Sequence, residues 1–198
     1  MSRKELERSF KKDLVGDVAF KLFRSKPFDR VSMDEIAQKA EFGKGTLYKL
    51  FSGKEEIMVH VICRGIANLC RDLEEQCLGT SDVPQALKLL LGLEYDFYTK
   101  YSNLVLELVF HQSANSESVF LDSVRVQNQQ HMNLLERIFE QARTAGMQFR
   151  LDNHELIQAL NAAIKGLMIN RIEQSILDDS REKDLELLNT MLWTGLLA

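Results

Sequence analysis

An all-α fold is expected for this chain of 198 residues, and three observations lead to it. Only 2 prolines and 10 glycines interrupt the chain, so long stretches run without a helix breaker. Apolar residues recur at i, i+3, i+4 and i+7 instead of alternating, which is the period of a helix and not of a strand. Several of these stripes follow Ser-x-x-Glu segments, the signature of a capped helix N-terminus. Together they imply an N-terminal three-helix head over residues 1–54 that contains a helix-turn-helix, followed by a larger helical bundle over residues 55–198.

The elements follow in order. Phe10, Leu14, Val18 and Leu22, with Val15, Ala19 and Phe23 beside them, predict an amphipathic first helix that stops at Lys26-Pro27. Ser32-Met33-Asp34-Glu35 reads as a capping box, and Met33, Ile36, Ala37 and Ala40 give a short second helix its core-facing stripe. Gly43 can open a third helix, Lys44 to Phe51, with Leu47, Leu50 and Phe51 inward. Ser52-Gly53-Lys54-Glu55 is a second box, from which Ile57, Val61, Ile62, Ile66, Leu69 and Leu73 carry a long fourth helix to about Cys77. After the break at Gly79-Thr80-Ser81-Asp82, Val83 to Tyr98 is apolar on nearly every side, as in a helix buried in a bundle.

A shorter helix over Leu104 to His111, a loop over Gln112 to Ser118 and a helix over Val119 to Ala145 follow, the last closed by Gly146 at C′. Asp152-Asn153-His154-Glu155 repeats the capping pattern before the stripe Leu156, Leu160, Ile164, Leu167 and Ile172. Asp179 or Ser180 caps a last helix lined by Leu185, Leu188, Leu192 and Leu196, which makes nine helices in all.

Several function classes are excluded by what the chain lacks. Its longest apolar runs, such as Leu89 to Leu91, fall far short of the roughly 18 residues of a membrane span. Met1-Ser2-Arg3-Lys4-Glu5 does not open a secretory signal, so a cytoplasmic location is expected. Cys63, Cys70 and Cys77 recur every seventh residue, about 10.5 Å apart along a helix, too far to bridge one another. They read as small buried side chains, with a redox sensor as the alternative. Neither the cysteines nor His60, His111, His131 and His154 form a zinc pattern, and no metal or cofactor is expected. Without a catalytic triad, a phosphate-binding glycine loop or supported paired carboxylates, the chain does not read as an enzyme.

Charge is unevenly spread. Residues 1–54 hold 13 Lys and Arg against 8 Asp and Glu, a net +5, whereas the remainder carries −9. A basic head on an acidic body suggests that the head meets a polyanion, although charge blocks are also often plain solvated surface. The second and third helices, separated by a tight turn, are what a helix-turn-helix needs. Gly45 and Thr46 keep the leading surface of the third helix slim enough for a groove about 12 Å wide. Lys44 can donate to guanine or phosphate, Thr46 offers a hydroxyl and a methyl, and Tyr48 can reach past them. A plain three-helix bundle with a charged face has the same spacing.

At these residues the sequence resembles the tetracycline-repressor (TetR) family of bacterial transcription regulators. The resemblance rests on Val31 to Ala40, Gly45-Thr46-Leu47-Tyr48, Phe51 and Ser52-Gly53-Lys54-Glu55, and it is specific over residues 10–62. It implies an all-helical homodimer that binds a palindromic operator in double-stranded DNA through its head and lets go when a small molecule enters the body. It further implies base contacts from Lys44, Thr46 and Tyr48 and phosphate contacts from Ser32, Lys49 and Lys54. Lys54 also stands at a helix start, where backbone N–H groups favour a phosphate. Four positions depart from the family pattern: Pro27 and Glu41 stand where glycines are usual, Gly43 replaces a hydroxyl residue, and Leu50 replaces a frequent histidine.

In the body, Tyr95, Tyr98, Phe110, His111, Gln127 and His131 are candidates to line an effector pocket, though aromatic residues at helical spacing are usually core. That inventory suits a mostly hydrophobic molecule with one or two polar groups. The last two helices are candidates for a four-helix dimer interface, in which Ala159, Ala163 and Gly166 allow close approach while Leu167, Leu188 and Leu192 fill the seam. An architectural DNA-binding protein without an effector is the alternative reading.

Overall fold

In the computed structural model, the described residues are 2–101, 103, 104, 106, 107, 119–173 and 180–191, with 119–121 and 173 described by backbone alone. They form eight α-helices: α1 Arg3–Ser25, α2 Met33–Lys39, α3 Lys44–Leu50, α4 Lys54–Cys77, α5 Val83–Lys100, α6 Val119–Thr144, α7 Asn153–Glu173 and α8 Arg181–Asn189. A 3-10 turn at Phe28–Arg30 links α1 to α2. Asn103, Leu104, Leu106 and Glu107 are helical; the rest of the predicted Leu104–His111 helix and the Gln112–Ser118 loop lie outside the described residues. No described helix is long and apolar enough to cross a membrane. The chain divides into two compact units, Met1–Gly65 with Asn103–Val126, and Ile66–Ser102 with Gln127–Ala198. One unbroken helix, α4, contributes residues to both.

In the first unit, α1 begins earlier than its apolar stripe predicts, because Ser2 and Glu5 form a reciprocal capping box. Phe10 and Leu14, the first members of the predicted stripe, are 64% and 41% exposed. The buried face is instead Val15, Ala19, Leu22 and Phe23, since Ser2–Phe10 are exposed and no described helix covers them. The helix stops where Pro27 lacks an N–H, and Phe28 folds back onto Phe23 with ring centroids 5.2 Å apart. Around these rings Ile36, Ala37, Leu47, Leu50, Phe51 and Ile57 complete the core.

Both capping boxes predicted in this unit are modified. Ser32 Oγ accepts from the Glu35 N–H at 3.2 Å, but the Glu35 carboxylate turns to Lys26 instead of back to Ser32. At α4 the partner is Glu56, not Glu55: its carboxylate accepts from the Ser52 N–H and hydroxyl at 2.7 and 3.0 Å. α4 starts at Lys54, one residue later than expected, which makes Glu56 the third helical residue. A polar seam then ties α1 to α4. Lys12 reaches Glu56 at 3.1 Å and lies over the Phe51 ring, Asp13 accepts from His60 Nε2 at 3.1 Å, and Arg64 binds the Asp13 carbonyl and the Asp17 carboxylate. Gly16 permits this approach, because a Cβ there would stand 3.2 Å from the His60 ring.

The second unit is built around α5, which packs against α7 and α8. Asp82 caps α5 through the Gln85 N–H, and Leu87, Leu90, Leu91, Tyr95 and Tyr98 are buried along it. Leu69 and Leu73 from α4, Leu135 and Phe139 from α6, and Leu160 and Ile164 from α7 fill the rest of its core. Gln141 pins the end of α4, donating to the Cys77 carbonyl and accepting from the Gly79 N–H. Gly146 closes α6 at φ +94° in a Schellman turn, with Met147 N–H on the Ala142 carbonyl. Asp152 and Glu155 form the expected reciprocal box at 2.8 and 3.0 Å. At α8, Ser180 holds the N-cap position but makes no capping bond; its hydroxyl pairs with Asp184 instead.

Candidate functional site

The turn between α2 and α3 decides what α3 can present. Ala40 ends α2, and the chain then reverses through Glu41 at φ +59°, with Phe42 N–H on the Ala37 carbonyl and Glu41 N–H on the Gln38 carbonyl. This is a Schellman turn whose left-handed residue is ordinarily glycine. Gly43 then opens α3 with its carbonyl, accepting from Thr46 and Leu47. Leu47 and Leu50 point into the core, which leaves Lys44, Gly45, Thr46, Tyr48 and Lys49 outward. Tyr48 is 54% exposed, a large aromatic ring that is more than half open to solvent. A Cβ on Gly45 would meet nothing within 4 Å, so this glycine keeps the outer surface low and is not required by internal packing.

The basic residues differ in how free they are. Lys44 is exposed yet held 2.5 Å from Asp34. Lys54 is mostly covered, donating to the Phe28 carbonyl at 3.0 Å with its ammonium 4.4 Å over the Phe28 ring. Ser32 is exposed, and with its oxygen accepting from Glu35 its O–H remains able to donate. Lys49 is exposed and has no carboxylate partner among the described residues. Beside it lies a groove of about 380 Å³ whose other wall is the start of α1, with Lys4, Arg8 and Lys11. Sequence reading missed this groove, although the i, i+4, i+7 spacing of those three cations was its signal.

The described candidate effector residues have different surroundings. Tyr98 lines a cleft of about 520 Å³ with Met132, Ile157, Asn161 and Lys165, and its hydroxyl donates to Asn161 at 2.8 Å. Burial, helped by the charge of Glu94, pushes the Tyr98 hydroxyl pKa up. Tyr95 is instead buried against α8, donating to Asp184 at 2.8 Å, where Arg171 also binds. His131 is buried against Glu94, with Nε2 to Oε1 at 2.5 Å, while Glu94 Oε2 has no partner among the described residues. Gln127 is half-buried, and Phe110 and His111 lie outside the described residues. Burial also pushes the Cys63 and Cys77 thiols up to about 11 and raises Cys70, so none is poised as a thiolate at neutral pH.

Among the interface candidates, Gly166 is exposed on α7, and Ala159, Ala163 and Leu167 are half-buried. Leu188 is fully buried within its own chain and presents nothing outward. The exposed apolar residues here are Ile169 on α7 with Leu187 and Met191 on and just after α8, one position out of phase with the predicted leucine stripe. Leu192 lies outside the described residues.

Residues 16–61 match the bacterial regulatory proteins of the tetR family. The transcriptional activator FasR of Mycolicibacterium smegmatis is 28% identical over 108 residues, which cover 54% of this chain and 49% of that protein; the match thus spans about half of the relative's length. A transcriptional regulator from Saccharomonospora viridis, solved in complex with choline, superposes with a TM-score of 0.79 at 17% identity, covering 96% of this chain and 99% of its own. FadR from Bacillus subtilis, solved with stearoyl-CoA, gives 0.68 at 18% identity, covering 88% and 96%. At such identities these two likenesses concern the fold. The family match falls on the helices that carry the Schellman turn and the outward face of α3, so over residues 16–61 the chain carries the domain of the bacterial regulatory proteins of the tetR family.

Proposed function

We propose that the chain is a ligand-responsive repressor that binds a palindromic operator as a homodimer and is released by a small, mostly hydrophobic effector. The observation that carries this reading is the face of α3. Its apolar residues Leu47 and Leu50 are spent on the core, and what remains outward is a slim, basic and aromatic surface of Lys44, Gly45, Thr46, Tyr48 and Lys49. Such a surface enters a major groove, where Lys and Thr pair with base edges. Ser32 and Lys49 contact phosphate on this reading. Lys54, engaged by Phe28, contributes mainly by holding the turn.

The body supports the effector part. It contains the Tyr98 cleft, and FadR was solved with an acyl-CoA, an apolar chain on a polar head. α4 is the natural lever, since its 24 residues run from Lys54 to Cys77, about 36 Å at 1.5 Å per residue. Activation is the second reading, favoured by the name of FasR. Selection of duplexes from a random pool by the purified protein tests the proposal. The expected result is a palindrome whose affinity falls by about 1 to 3 kcal/mol for Tyr48→Ala, with relaxed preference at one position. Equal affinity for all sequences would favour the architectural alternative. A reporter driven by the selected site separates repression from activation.

A further inference from the structure

The first three turns of α1 carry Lys4, Arg8 and Lys11 at i, i+4 and i+7, which places all three on one side of the helix. They face Thr46 and Lys49 of α3 across the groove of about 380 Å³, with Glu7 as the sole acidic residue lining it among the described residues. Glu7 is tied to Lys11 at 2.6 Å. Lys4, Arg8 and Lys49 have no carboxylate partner among the described residues, whereas Lys44 and Lys54, the lysines that α3 and α4 begin with, are held by Asp34 and Phe28. The groove therefore carries the least compensated positive charge around the recognition helix. Its opening is long enough to matter, since Lys4 to Lys11 spans about 10 Å of helix, the axial rise of about three nucleotides of one strand.

We infer that this groove is a second DNA contact, a clamp in which Lys4, Arg8 and Lys49 grip the phosphate backbone of the strand bordering the major groove that α3 enters. This rests on the DNA-binding reading given above. Because Thr46 and Lys49 form one wall of the groove and also stand on the outer face of α3, a backbone lying beside α3 passes directly over the cations of α1. The exposed start of α1, which buries nothing in its own unit, has its use there. Contacts of this kind position the protein and strengthen binding without reading sequence.

The test is fluorescence anisotropy of the full chain on two duplexes, one of mixed sequence and the palindrome selected by the wild type, each across a range of salt concentrations. The Lys4→Ala/Arg8→Ala double variant should lower the slope of log K against log salt by about 1.8 for each protomer engaged, at about 0.9 per phosphate, equally on both duplexes. The affinity ratio between the duplexes should not change, and the charge-conserving Lys4→Arg/Arg8→Lys variant should keep the wild-type slope. Lys88→Ala, an exposed lysine on α5, should leave the slope alone. An unchanged slope in the double alanine variant, with wild-type binding intact, overturns the clamp and spares the DNA-binding reading. Failure of the wild type to bind either duplex overturns both.

Discussion

Glu94 has no exposed surface, accepts one bond from His131 and leaves its second carboxylate oxygen without a donor among the described residues. A buried pair of this kind is kept by mutual dependence, because removing one member strands the other in a medium that cannot solvate it. His131→Leu alone should therefore cost about 3 kcal/mol in urea unfolding, while Glu94→Leu/His131→Leu should return to within about 1 kcal/mol of wild type. A double variant no more stable than the single would mean that the pair contributes packing and not charge balance. Asp184 follows a different logic. Burial pushes its carboxyl up, but hydrogen bonds from Arg171, Tyr95 and Ser180 together hold it below its ordinary 3.8. Its contribution is complete above that value and fades as pH falls through the depressed native pKa.

Among the elements, the seam between α1 and α4 is the one sensitive to mild acid. Burial disfavours the His60 imidazolium more than Asp13 favours it, so its native pKa lies below the ordinary 6.5. The unfolded chain therefore binds the proton first. The stability that His60 contributes is complete above pH 6.5 and is lost as pH falls from there through the native pKa. His60→Gln should shrink the difference between urea midpoints at about pH 7.5 and about pH 5.5. This seam was invisible in the sequence, since Asp13 and His60 are 47 residues apart and neither belongs to an apolar stripe. Helix existence was legible because periodicity and Ser, Asp and Gly caps are local signals. Phase was less so. With leucines at 185, 187 and 188 in a helix of only 9 residues, period alone did not decide which leucine faces inward. The contact with α5 and the Asp184 cluster decided it, burying Leu188 and leaving Leu187 out. Likewise the outward residues of α3 could be read from the spacing of Leu47 and Leu50, whereas the basic groove needed the start of α1, where the apolar stripe was silent.

For the whole molecule, the proposed homodimer predicts that the apolar residues left exposed on α7 and α8 are the face through which two copies associate. Ile169, Leu187 and Met191 are 43%, 41% and 53% exposed, and Gly166 beside Ile169's helix turn leaves room for a partner. Two heads must stand about 34 to 36 Å apart to read successive turns of DNA, which one chain alone cannot do. Ile169→Glu replaces a side chain that this chain does not bury, so the folded monomer should keep its melting behaviour. The same change should halve the mass seen in sedimentation and remove tight binding to the full palindrome, leaving half-site binding. A variant that remains dimeric would place the interface elsewhere.

Glu41 has a consequence measured in time. It occupies a left-handed turn where a side chain costs roughly 1 kcal/mol, and on the proposed reading it sets a negative charge beside the face that would meet DNA. The charge works against long residence on the proposed operator, whereas the turn strain, present bound and free, lowers only the stability of the head. Glu41→Gly should make the head more stable and slow its dissociation from the palindrome in a stopped-flow chase, with the sequence preference unchanged. A regulator that leaves its site quickly lets transcription respond soon after the signal changes, and one that lingers does not. On that reading the residue that looks like a defect in the turn shortens the delay between signal and response.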